Sequence, residues 1–281
     1  MSPSAWEPLL GTSQSPGRAA AARDWDAVTY DRVSDPQVAW AGRVLDRLAL
    51  VGDETVLDAG CGSGRVTRML LERLPRGHVV AVDAAPSMVE QARAALGERA
   101  TVFQCDLQEL RVPEPVDAVF SNAVFHWVPD HDRLFQRLFA TLKPGGHLVA
   151  QCGGAGNVER FHVVAREVAL DEPYAEHLGG WQGPWNFATA EATHQRLLTA
   201  GFTDVSTWLE PSPIHPPEPL EYLRTVCLGH HLAALPEPLR QPYAEAVAKR
   251  CGTPLELDYV RLNITARRPP SPSPGAPLPF G

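Results

Sequence analysis

The sequence predicts an α/β fold in which a doubly wound, mostly parallel, seven-stranded sheet carries helices on both faces. Short apolar segments rich in β-branched residues alternate with helix-patterned segments from about residue 55 to residue 152. Such alternation is typical of parallel sheets, and strands that are apolar throughout are typical of sheets covered on both faces. Two further strand-like segments nearer the carboxyl terminus complete the predicted seven.

The predicted elements follow one another with short connections. Strands are expected at residues 55–59, 78–82, 101–104, 116–120, 147–151, 205–209 and 257–266. Helices are expected at residues 36–48, 65–74, 86–96, 132–142, 157–170 and 189–200. Pro86 suits a first helical turn, and Gly145-Gly146 suits a helix stop. A proline-punctuated insertion between the last two strands is expected to hold two helices.

The predicted organisation is one domain with a helical lid. Residues 1–22 are rich in Ser, Pro, Gly and Ala and are expected to be flexible, and the domain covers residues 23–268. Lid elements are expected at about 23–48, 154–187 and 211–252. The proline-rich residues 269–281 are expected to be disordered.

A glycine-rich turn after the first predicted strand is the most informative feature. Gly60, Gly62 and Gly64 fall at alternate positions between a strand and a helix, where glycine lets a ligand approach the main chain closely. The free N–H groups of a helix start point towards such a ligand. Asp83 ends the next apolar segment and can accept hydrogen bonds from both hydroxyls of a ribose. Together these features predict a site for an adenosine-bearing cofactor.

The spacing of the glycines narrows the choice of cofactor. The dinucleotide fingerprint is G-x-G-x-x-G, whereas here Arg65 occupies the position of its third glycine. No Gly-Lys-Ser/Thr follows, so a nucleoside triphosphate is also disfavoured.

The run Asp58-Ala59-Gly60-Cys61-Gly62-Ser63-Gly64 resembles motif I of the class I S-adenosylmethionine-dependent methyltransferases. Within their small-molecule branch, residues 24–30, residues 121–127 and the late insertion resemble the trans-aconitate methyltransferase group. The resemblance covers about the first 155 residues and weakens after Gly153. It implies a Rossmann-like fold and S-adenosylmethionine as the cofactor.

The resemblance also implies which residues bind the cofactor. They lie in the glycine loop and at successive strand ends: Asp58, Gly60, Cys61, Gly62, Gly64, Asp83, Ala84, Met88, Asp106, Leu107 and Asn122. Asp58 would position the ammonium group of the methionine moiety, which the glycines would flank. Asp83 would bind the ribose hydroxyls. Asp106 and the Leu107 amide would bind adenine, and Asn122 would lie at the mouth of the substrate pocket.

Other interpretations of these residues stay open. Asp58 could cap a turn, and Asp106 could be the N-cap of a short helix because Glu109 follows three residues later, as in a capping box. Met88 could fill the core, and Asn122 could be an ordinary turn residue.

The substrate pocket is predicted around the end of the fourth strand. His126 is the candidate catalytic base, because the transferred methyl group is expected at this strand end. Orienting the substrate, or packing against Trp127, is the alternative role. The predicted substrate-binding set is Trp25, Tyr30, His126, Trp127 and Trp185, with core packing as the alternative for the first two. The aromatic residues of the presumed lid favour an apolar or partly apolar small molecule.

Composition disfavours several other classes of protein. A net charge of −8 argues against a nucleic-acid partner, and no apolar run is long enough to span a membrane. The five cysteines form no C-x-x-C pair and no secretory signal is apparent, so a cytoplasmic location is expected. The histidines show no metal-ligand spacing. The adjacent His230-His231 are expected at the surface or in packing, with a reach into the pocket as the alternative.

The sequence therefore predicts a methyltransferase that moves a methyl group by SN2 displacement from S-adenosylmethionine to a small molecule. Oxygen, in a carboxylate or a hydroxyl, is the favoured acceptor. The N-P-P-Y/F signature of nucleobase amino methyltransferases is absent. Methylation of carbon or nitrogen in a prenyl, polyketide or other natural-product intermediate is the alternative. An NAD-dependent oxidoreductase and a non-catalytic regulator rank lower, and the oligomeric state is not predicted.

Overall fold

The protein is organised around a single seven-stranded sheet. The computed structural model describes the backbone of residues 35–271 and the side chains of residues 40–271. The strands are β1 (Thr55–Ala59), β2 (His78–Asp83), β3 (Ala100–Gln104), β4 (Val116–Asn122), β5 (Leu142–Gly153), β6 (Thr203–Pro211) and β7 (Val260–Arg267). Their order in the sheet is β3-β2-β1-β4-β5-β7-β6. Strands β1 to β5 pair in parallel and β7 is antiparallel to both of its neighbours, which confirms the predicted fold class.

Ten α-helices are present in the described part of the chain. They are α1 (Asp35–Leu45), α2 (Arg65–Glu72), α3 (Pro86–Leu96), α4 (His131–Thr141), α5 (Glu159–Ala169), α6 (Ala175–Leu178), α7 (Ala190–Thr199), α8 (Pro219–Tyr222), α9 (Gly229–Ala234) and α10 (Glu237–Cys251). Helices α1, α2 and α3 pack on one face of the sheet, and α4 and α7 pack on the other. Helices α5, α6 and α8 to α10 form a separate apolar core, and we call these five helices the helical cluster.

The strands carry apolar side chains on both faces, because helices cover both faces of the sheet. In β1, Val56 packs into the core beneath α1 to α3, whereas its neighbour Leu57 packs into the core beneath α4 and α7. Both side chains are fully buried. This two-sided burial explains why the central strands could be recognised from uninterrupted apolar runs.

Two predicted boundaries near the middle of the chain are wrong. Helix α4 ends at Thr141 and β5 begins at Leu142, so Gly145-Gly146 lie inside a strand and do not stop the helix. Gly145 has a φ of +82°, and its N–H donates to the Arg268 carbonyl oxygen at 2.9 Å. The positive φ of Gly145 therefore belongs to an irregularity in β5. At this irregularity the pairing of β4 with β5 shifts register between Val116 and Ala118.

The insertion between β6 and β7 also differs from the prediction. It contains three α-helices, α8 to α10, and a π-helical turn over Leu223–Cys227, where two helices were expected. Ile214 and Leu257 form an antiparallel bridge near its two ends, with N–H···O distances of 3.0 and 2.9 Å. The insertion thus leaves and re-enters the sheet at adjacent points.

Candidate active site

A cavity of about 1070 Å³ opens at the carboxyl ends of the parallel strands. This volume lies just above the usual range for small-molecule sites. We call the part lined by Asp58, Gly62, Asp83 and Asp106 the glycine-loop half. The part lined by aromatic side chains and by one arginine is the aromatic half: His126, Trp127, Phe161, His162, Trp185, Phe187 and Arg261.

The structure brings together all but one of the residues that were predicted to bind the cofactor. Those that line the cavity are Asp58, Gly60, Cys61, Gly62, Asp83, Ala84, Met88, Asp106, Leu107 and Asn122. Gly64 does not line it, and its role in cofactor binding stays a prediction. Gly64 has a φ of +86° at the start of α2, and a Cβ there would lie 3.1 Å from the Leu96 side chain. Gly64 is therefore required by backbone geometry and helix packing.

Main-chain hydrogen bonds to β2 fix the glycine loop. The N–H groups of Gly60 and Cys61 both donate to the Val82 carbonyl oxygen, at 2.8 and 2.9 Å. The next free N–H, that of Gly62, donates to Asp83 Oδ2 at 2.9 Å. The loop is thereby tied to the strand that carries Asp83.

Gly60 and Gly62 are needed for different reasons. A Cβ on Gly60 would lie 2.2 Å from Val124 Cγ2, so the position has no room for any side chain. A Cβ on Gly62 would meet no atom within 4 Å, and Gly62 lines the cavity. Both glycines line the cavity, but only at Gly62 would an added Cβ stand in open space.

Asp83 is held rigidly at the centre of the glycine-loop half. Its Oδ1 accepts the N–H of Ala85 at 2.9 Å, and its Oδ2 accepts that of Gly62. Burial raises the pKa of Asp83, and the hydrogen bonds from the two amides oppose this rise. Each carboxylate oxygen has a second lone pair with which to accept a hydroxyl hydrogen.

Asp58 lies deeper, and its charge depends on its surroundings. Thr67 Oγ1 of α2 donates to Asp58 Oδ2 at 2.7 Å, so the bonded partner is a helix side chain and not a turn amide. Burial raises the pKa of Asp58 to about 7, and nearby Asp83 adds to the rise. A cation bound next to Asp58 would favour its ionised form.

Other residues of the glycine-loop half also contribute to the structure of the fold. Asp106 accepts the N–H of Gln108 at 2.8 Å, which confirms the N-cap interpretation, although its exposed carboxylate also faces the cavity. Met88 is buried and lines the cavity, so it fills the core and borders the site at once.

Burial raises the pKa of the Cys61 thiol well above its usual value, with Asp58 and Asp83 contributing. A protonated thiol fits a residue chosen for size and not for nucleophilicity.

His126 is buried, and a hydrogen bond from the backbone determines which nitrogen of its neutral ring carries the proton. It lies in the 3₁₀ turn Phe125–Trp127 that follows β4. Its Nδ1 accepts the N–H of Gly153 at 3.2 Å, which leaves the proton of the neutral ring on Nε2. Burial lowers the pKa of His126 well below its usual value, with Arg261 and His131 contributing. The only basic nitrogen of the neutral ring is thus already engaged.

Other aromatic rings line the rest of the aromatic half. His126 lies 4.8 Å from Trp127 and 5.7 Å from Phe187, centroid to centroid. Trp185 and Phe187 lie 6.3 Å apart with an interplanar angle of 8°. Of the predicted substrate-binding residues, His126, Trp127 and Trp185 line the cavity, whereas Trp25 and Tyr30 lie outside the described residues.

Arg261 of β7 is a site residue that the sequence interpretation missed. It is only 2% exposed, and it lines the cavity. Its Nε donates to Gln151 Oε1 at 3.3 Å, and its guanidinium carbon lies 4.4 Å from the centre of the Trp40 ring. Gln151 is held in turn by Asn263 Oδ1 at 2.7 Å. A signal was present, because two polar residues alternate with apolar ones in V-R-L-N-I.

Two negative findings apply to the described residues. No helix among residues 35–271 is long and apolar enough to cross a lipid bilayer. Within the same range, His, Cys, Asp and Glu side chains form no group of three that could hold a metal ion.

Comparisons with known proteins agree with this architecture. A family described as a methyltransferase domain matches residues 56–146. The trans-aconitate 2-methyltransferase of Variovorax paradoxus is 30% identical over 248 residues, covering 85% of this chain and 94% of that protein. The enzyme of the same name from Methylobacterium nodulans is 35% identical over 187 residues, covering 66% of this chain and 67% of that protein. For a third relative, from Rhodopseudomonas palustris, the match spans only 60% of the relative's length.

Solved structures are similar in fold. Phosphoethanolamine N-methyltransferase 2 of Haemonchus contortus, in complex with S-adenosyl-L-methionine, gives a TM-score of 0.58 at 19% identity, covering 86% of this chain and 56% of that one. An S-adenosylmethionine-dependent methyltransferase from Mesorhizobium loti gives 0.51 at 23% identity, covering 83% and 99%. At these identities the likeness concerns the fold.

The sheet order, the glycine loop and these matches together define a class I methyltransferase, an enzyme whose cofactor is S-adenosylmethionine. Within that class, the chain belongs to the family of the trans-aconitate 2-methyltransferases. The resemblance noted in motif I and the cofactor it implied are confirmed.

The glycine loop yields a paired prediction. Gly60→Ala should lower the free energy of unfolding by about 2–4 kcal/mol, because overpacking adds to left-handed strain. Gly62→Ala should cost about 1 kcal/mol, from strain alone, but should weaken S-adenosylhomocysteine binding because its methyl group enters the cavity. Urea unfolding and calorimetric titration measure the two effects. Equal losses of stability, or normal ligand affinity in Gly62→Ala, would contradict this assignment.

Proposed function

We propose that the glycine-loop half holds S-adenosylmethionine and that the aromatic half holds a small carboxylic acid, whose carboxylate oxygen is methylated. The helical cluster covers the aromatic half as a lid. The observation that carries the acceptor assignment is Arg261, a buried cation that lines the cavity.

The donor and acceptor groups of the glycine-loop half fit the cofactor. Asp83 offers two fixed oxygens to a ribose diol, as argued above. Asp58, whose pKa is about 7, becomes a matched anion when an ammonium group lies beside it. The bare main chain at Gly62 admits the methionine end without a clash. Asp106, Leu107, Ala84 and Met88 border the space left for adenine.

Arg261 is suited to hold a carboxylate. A guanidinium presents a planar fork of donors that matches a carboxylate in bidentate geometry. The bond to Gln151 and the stacking on Trp40 fix the orientation of that fork. The same cation disfavours a positively charged amine as the acceptor. The names of the relatives, which are those of enzymes acting on an organic acid, support the same assignment.

A carboxylate acceptor places few demands on the protein. When bound, the cofactor supplies a methyl group on a positively charged sulfur, and its transfer to a carboxylate leaves a neutral thioether and a methyl ester. An ionised carboxylate is already a nucleophile and no proton needs to move, so no general base is required. The residues of the cavity contribute alignment and the exclusion of water.

His126 fits a hydrogen-bond donor better than the general base predicted from the sequence. Because Nδ1 accepts the Gly153 N–H, the neutral ring presents an Nε2–H. In this proposal that N–H orients the acceptor carboxylate beside Arg261. A hydroxyl acceptor would need a base that His126, in this state, does not provide.

The role of Asp83 can be tested with a matched pair of carboxylates. Asp83→Asn should weaken S-adenosylhomocysteine binding by at least about tenfold, because charged hydrogen bonds are typically worth about 1.5–3 kcal/mol. The control is Asp117→Asn, since Asp117 also accepts a backbone N–H, from Thr55 at 2.9 Å, but does not line the cavity. Calorimetric titration should show normal affinity for this control. Normal affinity in Asp83→Asn would remove the cofactor assignment.

The role of Arg261 predicts a change confined to the acceptor. Arg261→Lys keeps the charge but loses the fork, and should raise KM for a carboxylic acid by at least about tenfold. Binding of S-adenosylhomocysteine should stay within about threefold. Arg160→Gln is the control, because Arg160 is an exposed ion-pairing residue of the helical cluster. An unchanged KM in Arg261→Lys, or a product that is not a methyl ester by mass spectrometry, would exclude the proposal.

Two substitutions of His126 separate a donor from a base. Gln keeps a side-chain N–H and a carbonyl for the Gly153 amide but has no basic nitrogen, whereas Leu has neither group. For a donor, His126→Gln should retain kcat within about tenfold, and His126→Leu should lose about 10- to 100-fold more. Equal, severe losses in single-turnover methyl transfer would instead favour the base.

A further inference from the structure

The segment between α6 and α7 carries part of the aromatic wall of the cavity. We call residues 181–187 the tryptophan loop, which contains Trp181, Trp185 and Phe187. All three of these side chains line the cavity. The loop itself belongs to no helix or strand, so its position depends on the contacts that it makes with other segments.

Asn186 binds the tryptophan loop to the turn that follows β4. Its main-chain N–H donates to the His126 carbonyl oxygen at 2.9 Å. Its side-chain Nδ2 donates to the carbonyl oxygens of Val128, at 3.3 Å, and of Pro129, at 3.0 Å. Because a carbonyl oxygen can only accept, the orientation of the Asn186 amide is unambiguous. Three hydrogen bonds from one residue thus hold the loop on residues 126–129.

These hydrogen bonds bring the rings on both sides of Asn186 against the turn. Phe187 stacks on His126 with a centroid distance of 5.7 Å and an interplanar angle of 25°. Trp185 lies 6.2 Å from Trp127, centroid to centroid. All four of these rings line the cavity. Asn186 therefore fixes two rings of the loop relative to two rings of the turn.

Trp185 also contacts the helical cluster. Its ring lies 4.5 Å from His162 of α5 and 5.6 Å from His231 of α9. Burial lowers the pKa of His162 to about 4 and that of His231 to about 3, so both rings are neutral near pH 7. The adjacent His230, 5.1 Å from Trp127, lines the cavity. Of the two neighbouring histidines, His231 is thus buried in packing and His230 reaches the cavity.

Gly183 lets the ring of Trp185 fold back onto the tryptophan loop. Gly183 has a φ of +78°, and a Cβ there would lie 2.0 Å from the Trp185 ring. The ring is therefore held against the main chain of its own loop, and a movement of the loop carries the ring with it. An anchor for the loop is also an anchor for this ring.

From these contacts we propose that Asn186 is a positioning residue for methyl transfer. It fixes the tryptophan loop on the turn that carries His126, and so holds Trp185 and Phe187 where they align the acceptor and exclude water. The proposal rests on the proposed function, since it presupposes that the acceptor binds in the aromatic half. Asn186 acts through these rings and not on the reacting atoms.

The first test measures the anchoring without turnover. The protein saturated with S-adenosylhomocysteine undergoes hydrogen–deuterium exchange, which is followed by mass spectrometry of its peptides. In Asn186→Ala, peptides that cover the tryptophan loop and residues 125–130 should exchange at least about tenfold faster than in the wild type, because local opening frees their amides. Peptides from β1 and α2 should keep the wild-type rate. Wild-type exchange in the tryptophan loop overturns the inference.

Two further variants show whether the side-chain donor is the anchor. Asn186→Asp keeps the shape, but at pH 8 it turns a carboxylate oxygen towards two carbonyl oxygens, so the loop should exchange at least as fast as in Asn186→Ala. Gln241→Ala removes another side-chain amide, which bonds Glu245 within α10 at 2.6 Å and does not line the cavity. This control should keep wild-type exchange and wild-type kinetics. Wild-type exchange in Asn186→Asp overturns the inference.

Kinetics with S-adenosylmethionine and trans-aconitate test the consequence for transfer. Asn186→Ala should lower kcat at least about tenfold, because small misplacements of an acceptor are costly. Its affinity for S-adenosylhomocysteine, measured calorimetrically, should stay within about threefold of the wild type. An unchanged kcat, or an equal loss of cofactor affinity, overturns the inference.

Product analysis keeps the inference and the proposed function apart. A wild-type product other than a methyl ester overturns the proposed function alone, because neither the exchange rates nor the loss of kcat depends on which atom is methylated. Absence of transfer to trans-aconitate in the wild type would count against the proposed function, and the exchange measurement would still decide the inference.

Discussion

The glycine-loop half of the cavity depends on one carbonyl oxygen. That of Val82 accepts the N–H groups of both Gly60 and Cys61, and so fixes where the chain turns away from β1 over the end of β2. The position of Gly62, and with it the contact between its amide and Asp83, follows from this turn. The room for it exists only because Gly60 has no side chain to meet Val124. A local backbone arrangement thus places Gly62 and Asp83, the two groups to which the proposed function assigns the binding of the nucleoside.

The fold and the glycine-loop half could be predicted because their signals are local in sequence. Strands buried on both faces read as apolar runs, and β1, β2 and β3 lie within one residue of their predicted bounds. The glycine loop is one short contiguous run. The packing of Gly64 could not be predicted, because its neighbour in space, Leu96, lies a whole βα unit further along the chain. Spacing alone does not separate a glycine needed for packing from one needed for a ligand.

The aromatic half could be predicted only in outline, because it is assembled from distant segments. His126 follows β4, His162 lies in α5 and Arg261 lies in β7, which is brought alongside β5 by antiparallel pairing. The contact between His126 and the Gly153 amide, which bears on the predicted base role, could not be predicted because it arises from the pairing of β4 with β5. Arg261 stood in an apolar strand, where an arginine is easily taken for an edge residue. The aromatic side chains were recognised from composition, but their arrangement around neutral histidines was not.

The bridge between Ile214 and Leu257 gives the enzyme a modular design. Because the insertion starts and finishes at neighbouring points of the sheet, its length and content can vary with little effect on the closure of the chain. The insertion carries His230 and His231, whereas the sheet carries Asp83, the proposed ribose ligand. Changes in the insertion alone could therefore alter the helical side of the cavity, while Arg261, the proposed carboxylate ligand just beyond its end, stays in place in β7.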